Sequence, residues 1–341
     1  MSVQPCPWTA AELRAHLADA DRTLLVEGNQ LTFVYRGDAQ KVLLGGGIQE
    51  PLERLADSDV WVLTVAIRDA AKAVVSYSFL VQQGGALERQ GHTSSVWRGP
   101  EAPPPLAFVD PNELKGQLSF HRIFSPALLE ERELIVYQPP GANTTTIQRV
   151  VYMADGQCPA HSVEPLILSG KLPPMTLIGV QSAAGPFASS EEDLRAQEYI
   201  PDRNAQRYAA HAQFFVHEVR AWAETTFGIA HEREQCAVFG FSNGAVFAAA
   251  AGIMYPQHFG HVLAFSMGVS PPLPGLLSRP RARFYFLAGT LEEGFHRNTR
   301  QFAQKLWRRR FTSLFRERVC GHDYLMWQEE LPAALAWAFG K

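Results

Sequence analysis

Cysteine is scarce: four residues in 341, Cys6, Cys158, Cys236 and Cys320, lie far apart and none belongs to a C-x-x-C pair. That spacing excludes a disulfide framework and the common zinc and redox motifs, so the four are expected as reduced, small apolar residues. There is no H-E-x-x-H and no other paired-ligand spacing, and neither a metal nor a cofactor is expected. An excess of one charge is missing too. With 31 Lys and Arg against 34 Asp and Glu, the formal net charge is -3, which supplies no general attraction to nucleic acid or to an anionic membrane. No apolar run approaches bilayer length. The first residues lack the basic region and apolar core of a signal peptide, so a cytoplasmic location is the expectation. Internal repeats and low-complexity tracts are absent as well, which excludes solenoid and disordered classes.

What is present is an ordinary globular composition, 46% apolar and 19% charged, in a chain long enough for one large or two average domains. Residues 30–36, 41–44, 60–67 and 74–81 read as strands, alternating apolar and polar residues over much of their length and separated by turns rich in Gly, Asp and Pro. They predict a small all-β, immunoglobulin-like sandwich. Residues 91–114, rich in Pro, Gly and Ser, read as a linker. From residue 118 the pattern changes to short apolar strands (133–137, 149–153, 175–180, 236–239, 284–287) alternating with helical segments such as 206–227 and 298–310. This predicts an α/β fold with a mainly parallel sheet covered on both faces. The expected division is residues 1–112 and 113–341.

The densest signal is Gly240-Phe241-Ser242-Asn243-Gly244, a G-x-S-x-G between a buried strand and an Ala-rich helix closed by Pro256. In a nucleophile elbow of this wording the chain turns through a strained position, and the serine hydroxyl stands clear at the helix's positive end. The flanking glycines avoid collision with the neighbouring strand and helix.

A serine hydroxyl needs a base, and in this chain order an acid precedes the histidine. Of the histidines after Ser242, His258 and His261 lie close behind the elbow helix and His296 sits just after the last clear strand. His322 falls in a loop between a strand near residue 315 and a terminal helix over 331–339, where a base belongs. The loop after the strand 284–287 supplies the acid, Glu292 or Glu293, with Glu292 preferred; Asp323, adjacent to the base, is expected to fix the loop. Two N–H donors complete the set, from Asn243 after the nucleophile and from Gln157 after the Asp155-Gly156 turn.

Taken together, residues 152–157, 195–201, the elbow with residues 255–260 behind it, and Gly321-His322-Asp323 with Trp327 nearby resemble the esterase D branch of the α/β-hydrolases, and enterochelin (enterobactin) esterases in particular. Residues 33–38, 41–44, 51–55 and 59–65 resemble the β domain that precedes the hydrolase domain there. The resemblance departs at Ala245, where a second glycine is often found, and at Ala154, where Leu is common. It implies an α/β-hydrolase that cuts ester bonds of a catecholate siderophore with Ser242 as nucleophile, His322 as base, and Gln157 and Asn243 as oxyanion donors. The partner that the resemblance implies is a small-molecule ester of the iron-siderophore kind. An anionic ferric catecholate calls for cations, and Arg195, Arg203 and Arg207 cluster in one segment, although Arg195 could equally pair with Glu198; Arg195, Arg203 and Trp327 are the candidate substrate contacts. Two other functions fit the same residues: a feruloyl or acetyl esterase acting on carbohydrate esters, and a non-catalytic binding protein with a hydrolase-like fold.

Overall fold

The computed structural model describes residues 1–17, 23–142, 149–183, 193–229, 232–275 and 280–340. The chain forms two compact units. The first comprises Met1–Pro104 together with two later segments, Gly289–Glu293 and Glu317–Met326; the second comprises the remainder.

In the first unit, β1 (Ser2–Gln4), β2 (Leu24–Glu27), β3 (Gln30–Arg36), β5 (Glu53–Arg54) and β6 (Val60–Ala66) form one antiparallel sheet. A second is built from β4 (Lys41–Gly46), β7 (Val74–Gln82) and β8 (Glu88–Arg98). Phe33, Leu63 and Val65 of one sheet and Val42, Leu44 and Val75 of the other share one apolar core, which also takes in Leu291 and Val319 from the later segments. Strand β6 is buried on both faces, where the sequence suggested alternation. The reason is a helix that the all-β expectation omits, α1 (Ala10–His16), whose Leu13 shares a second cluster with Val34, Val60 and Val62. Helix α1 begins with a capping box, Thr9 and Glu12 satisfying each other's backbone N–H groups. Strand β8 also corrects the expected linker, since pairing with β7 runs through Arg98.

The second unit holds an eight-stranded mixed sheet in the order β16-β15-β14-β13-β11-β12-β10-β9. Its strands are β9 (Gln117–Ser125), β10 (Glu130–Gln138), β11 (Arg149–Met153), β12 (Met175–Val180), β13 (Cys236–Phe241), β14 (His261–Phe265), β15 (Arg283–Gly289) and β16 (Ser313–Arg318). Strands β12, β11, β13, β14 and β15 run parallel, while β9, β10 and β12 pair antiparallel. The parallel strands are apolar without alternation because both faces are covered.

The covering helices are α2 (Ala160–Leu168), α3 (Leu194–Tyr199), α4 (Ala205–Gln213), α5 (Val219–Phe227), α6 (Asn243–Met254), α7 (Glu293–Arg308) and α8 (Tyr324–Phe339). Helices α4 and α5 join through a π-helical turn, Phe214–Glu218. In α7 the buried residues Thr299, Phe302, Ala303 and Leu306 recur at the spacing of one helical stripe. Helix α6 is apolar all round and almost wholly buried, as a helix in the middle of a layer must be. Among the described residues, no helix is long and apolar enough to cross a membrane, and no group of three or more His, Cys, Asp or Glu is placed to hold a metal ion. All four cysteines are free thiols, and burial pushes Cys158 up to about 12 and Cys236 up to about 11.

Candidate active site

Strand β13 ends at Phe241 and α6 starts at Asn243, so Ser242 alone makes the turn, with φ 53° and ψ -124°. A non-glycine residue with positive φ is strained, and this one is held by its N–H donating to the carbonyl of Phe265 at 2.9 Å. Gly240 is sterically required and Gly244 is tightly enclosed. A Cβ on Gly240 would overlap the backbone carbonyl of Gly244, and one on Gly244 would lie 3.0 Å from Asp155 Oδ2 and 3.1 Å from Ala154 Cβ. Asn243 occupies the first position of α6, where backbone N–H groups have no partner within the helix and the dipole is positive.

The Asp155-Gly156 turn lies at the end of β11, beside β13 in the sheet. Asp155 sits in the left-handed region at φ 60°, its N–H donating to Tyr199 Oη at 2.8 Å. Arg195 donates to both carboxylate oxygens of Asp155, Nε to Oδ1 at 2.5 Å and Nη2 to Oδ2 at 2.8 Å. Such a planar, two-point pair fixes the turn. The Gln157 N–H closes the same turn on the Ala154 carbonyl at 3.2 Å, the long end of the hydrogen-bond range.

Arg195 therefore pairs with Asp155 and not with Glu198. The fully buried Glu198 instead binds Arg132 at 2.5 Å and Arg207 at 2.8 Å, and accepts the Ala183 N–H at 2.8 Å. Arg203 is exposed. Trp327 is buried, stacks on Phe241 with ring centroids 4.2 Å apart, and donates its indole N–H to Ser266 Oγ at 2.8 Å. It thus backs the residue immediately before the strained serine.

In the first unit, His322 and Glu292 come together. The imidazole Nδ1–H donates to Glu292 Oε2 at 2.5 Å, and the other oxygen, Oε1, accepts the Gly289 N–H at 2.6 Å. Glu292 is buried, whereas Glu293 opens α7 with an exposed side chain. A carboxylate fixed through one oxygen and bonded to Nδ1 through the other sets the imidazole tautomer and leaves Nε2 as the basic atom. Asp323, as expected of a loop-fixing residue, spends both oxygens on structure: Oδ1 accepts the Met326 N–H at 3.0 Å and Oδ2 accepts from Ser76 Oγ at 2.7 Å.

Sequence reading did not reach the Asp155–Arg195 pair or the hydrogen bond from the His322 N–H to the carbonyl of Gly47, the last of three consecutive glycines and the residue directly after β4. The run of three glycines was a signal in plain view.

A strained serine between a central parallel strand and a buried helix, in a mixed sheet covered by helices, is the arrangement of the α/β-hydrolases. Residues 125–318 match the family model described as "Putative esterase", and the chain belongs to this esterase family; it is an ester hydrolase. None of the curated proteins compared gives a match.

Solved structures share the fold. Enterobactin esterase from Shigella flexneri, solved in the presence of enterobactin, is 17% identical with a TM-score of 0.68, over 92% of this chain and 95% of that one. Ferric enterobactin esterase from Salmonella typhimurium is 17% identical with a TM-score of 0.70, over 94% and 97%. A ferulic acid esterase from Anaeromyces mucronatus is 19% identical with a TM-score of 0.55, over 70% and 96%.

Proposed function

We propose that the protein hydrolyses the ester bonds of a catecholate siderophore of the enterobactin type, as a two-domain cytoplasmic enzyme with an immunoglobulin-like β domain over residues 1–112. The observation that carries this reading is coverage. The likeness to enterobactin esterases extends over 92% to 94% of the chain and so takes in the N-terminal β unit, while the likeness to the ferulic acid esterase stops at 70%.

The chemistry assigned to the residues is that of a serine esterase. Ser242 Oγ attacks the ester carbonyl carbon as His322 Nε2 removes its proton, and the carbonyl oxygen becomes an oxyanion. Backbone N–H groups of Asn243 and Gln157 stabilise that charge, the second by giving up its long turn bond to Ala154. Collapse breaks the bond to the leaving alcohol, whose oxygen takes the proton from His322. The acyl group stays on Ser242 until water, deprotonated by His322, attacks it and regenerates the hydroxyl. Glu292, bonded to Nδ1, orients the imidazole and stabilises the imidazolium.

Substrate recognition is assigned to the exposed Arg203 as a cation for an anionic catecholate, with Trp327 supporting Phe241 beside the nucleophile. Arg195, neutralised by Asp155, acts through the oxyanion turn.

A chromatographic product profile tests the reading. With a cyclic catecholate trilactone, its ferric complex and methyl ferulate supplied side by side, the trilactone is expected to yield linear and monomeric acyl-serine products at the highest kcat/KM. Rapid cleavage of methyl ferulate with both trilactone forms intact would replace this function with a feruloyl esterase.

A further inference from the structure

Gly47, which closes a run of three glycines, and Ser76 lie against the loop that carries His322, all within the first unit. The His322 N–H donates to the Gly47 carbonyl at 3.1 Å, and Ser76 Oγ donates to Asp323 Oδ2 at 2.7 Å. Gly47 in turn donates its own N–H to the Ser76 carbonyl at 3.0 Å, so one short piece of β4 and β7 grips the residues on both sides of the imidazole's backbone. Approach this close means that an added side chain would force its neighbours to shift. A Cβ on Gly47 would stand 2.7 Å from Asp323 Oδ2, one on Gly321 would overlap the Gly47 carbonyl, and one on Gly46 would lie 2.6 Å from the Ser76 carbonyl.

The Glu292 loop is bound into the same assembly. Leu291 belongs to the core of the β unit, and its N–H donates to Cys320 O at 3.0 Å. The Val74 N–H donates to Val319 O at 2.9 Å.

We infer that Ser76 and Gly47 are positioning residues for catalysis: through Asp323 and the His322 backbone they hold the imidazole on Glu292, so the N-terminal β unit is a working part of the hydrolytic machinery. The inference rests on His322 being the catalytic base. Asp323 is the link because its two oxygens tie Ser76 to the first turn of α8, and burial holds its carboxyl above the usual range, so its hydrogen bonds count heavily.

The test uses the full-length protein and p-nitrophenyl acetate, a small neutral ester. Ser76→Ala is expected to lower kcat about tenfold, as a small displacement of a catalytic group does, while KM stays within twofold. Asp323→Asn, whose amide can still meet both Met326 N–H and Ser76 Oγ, is expected to recover kcat to within about threefold of the parent, and Asp323→Ala is not. The readout that mere stability would not move is the low-field proton resonance of the His322–Glu292 hydrogen bond, expected to weaken or shift in Ser76→Ala and to persist in Asp323→Asn. If Ser76→Ala fails to fold, Gly47→Ala gives the same reading by pushing Asp323 aside.

Parental kcat and an unchanged resonance in Ser76→Ala overturn the inference, as does a loss in Asp323→Asn equal to that in Asp323→Ala. His322→Ala assayed in parallel separates the two levels. Activity surviving that substitution removes the base assignment itself, whereas activity lost there but retained in Ser76→Ala removes only the positioning role.

Discussion

His322 Nδ1 and Glu292 Oε2 are 2.5 Å apart, and the remaining oxygen of Glu292 is held by the Gly289 N–H. Of two adjacent glutamates on one loop, only Glu292 meets the imidazole, because Leu291 is buried in the β unit and the chain then enters α7 with Glu293 outward. Glu292→Gln should lower kcat by about 10²-fold or more, since an amide can present its N–H to Nδ1 and impose the wrong tautomer. Glu293→Gln should stay within twofold of the parent. Steady-state kinetics of the two variants on one ester decides the matter, and near-parental rates in both would leave a Ser–His pair acting alone.

Arg195 gives a different split between kinetic constants. As the clamp on Asp155, its replacement by Ala leaves a largely buried carboxylate unpaired, with an expected loss of about 3 kcal/mol in stability. The Asp155-Gly156 turn loosens with it. Turnover of the neutral p-nitrophenyl acetate should therefore fall about tenfold with little change in KM. An increase in KM confined to anionic substrates, with kcat intact, would show Arg195 to be a substrate contact.

Acid stability depends on two buried histidines. Burial, reinforced by the nearby Arg132 charge, lowers His211 to about 3, and burial lowers His261 to about 4, both from 6.5. The folded values lie below the unfolded one, so the unfolded chain takes up protons first and stability is lost as pH falls from about 6.5 towards 4. At pH 5 each histidine should cost about 2 kcal/mol relative to pH 7. Replacing His211 with Leu should flatten the decline of Tm between pH 7 and 5 by roughly half, measured by differential scanning calorimetry. An unchanged slope would place the titrating groups elsewhere.

Much of the sheet was legible in the sequence because its parallel strands are continuous apolar runs, as at residues 149–153, 175–180 and 236–239. Strand β14 escaped because it is short and opens with His261, a polar residue whose partner, the Glu234 carbonyl, is remote in sequence. Helix α1 was missed since seven residues carry too little periodicity, although Thr9 and Glu12 spelled its cap. Of the site, Ser242 was readable because an elbow is a local structure with local glycines. His322 and Glu292 were readable only through chain order, and what separates Glu292 from Glu293 is a tertiary bond. The Arg195–Asp155 and Ser76–Asp323 pairs join residues 40 and 247 positions apart, and nothing local announces them.

The central claim is that an acyl group passes through Ser242. The most direct measurement is rapid acid quench of the protein with a slowly deacylating aryl ester, followed by peptide mass spectrometry, in the parent and in Ser242→Ala. The expected result is a stoichiometric acyl adduct on the peptide containing Gly240-Phe241-Ser242-Asn243-Gly244, with adduct and turnover both absent from the variant. Undiminished turnover in Ser242→Ala, or an adduct on another residue, would contradict the account.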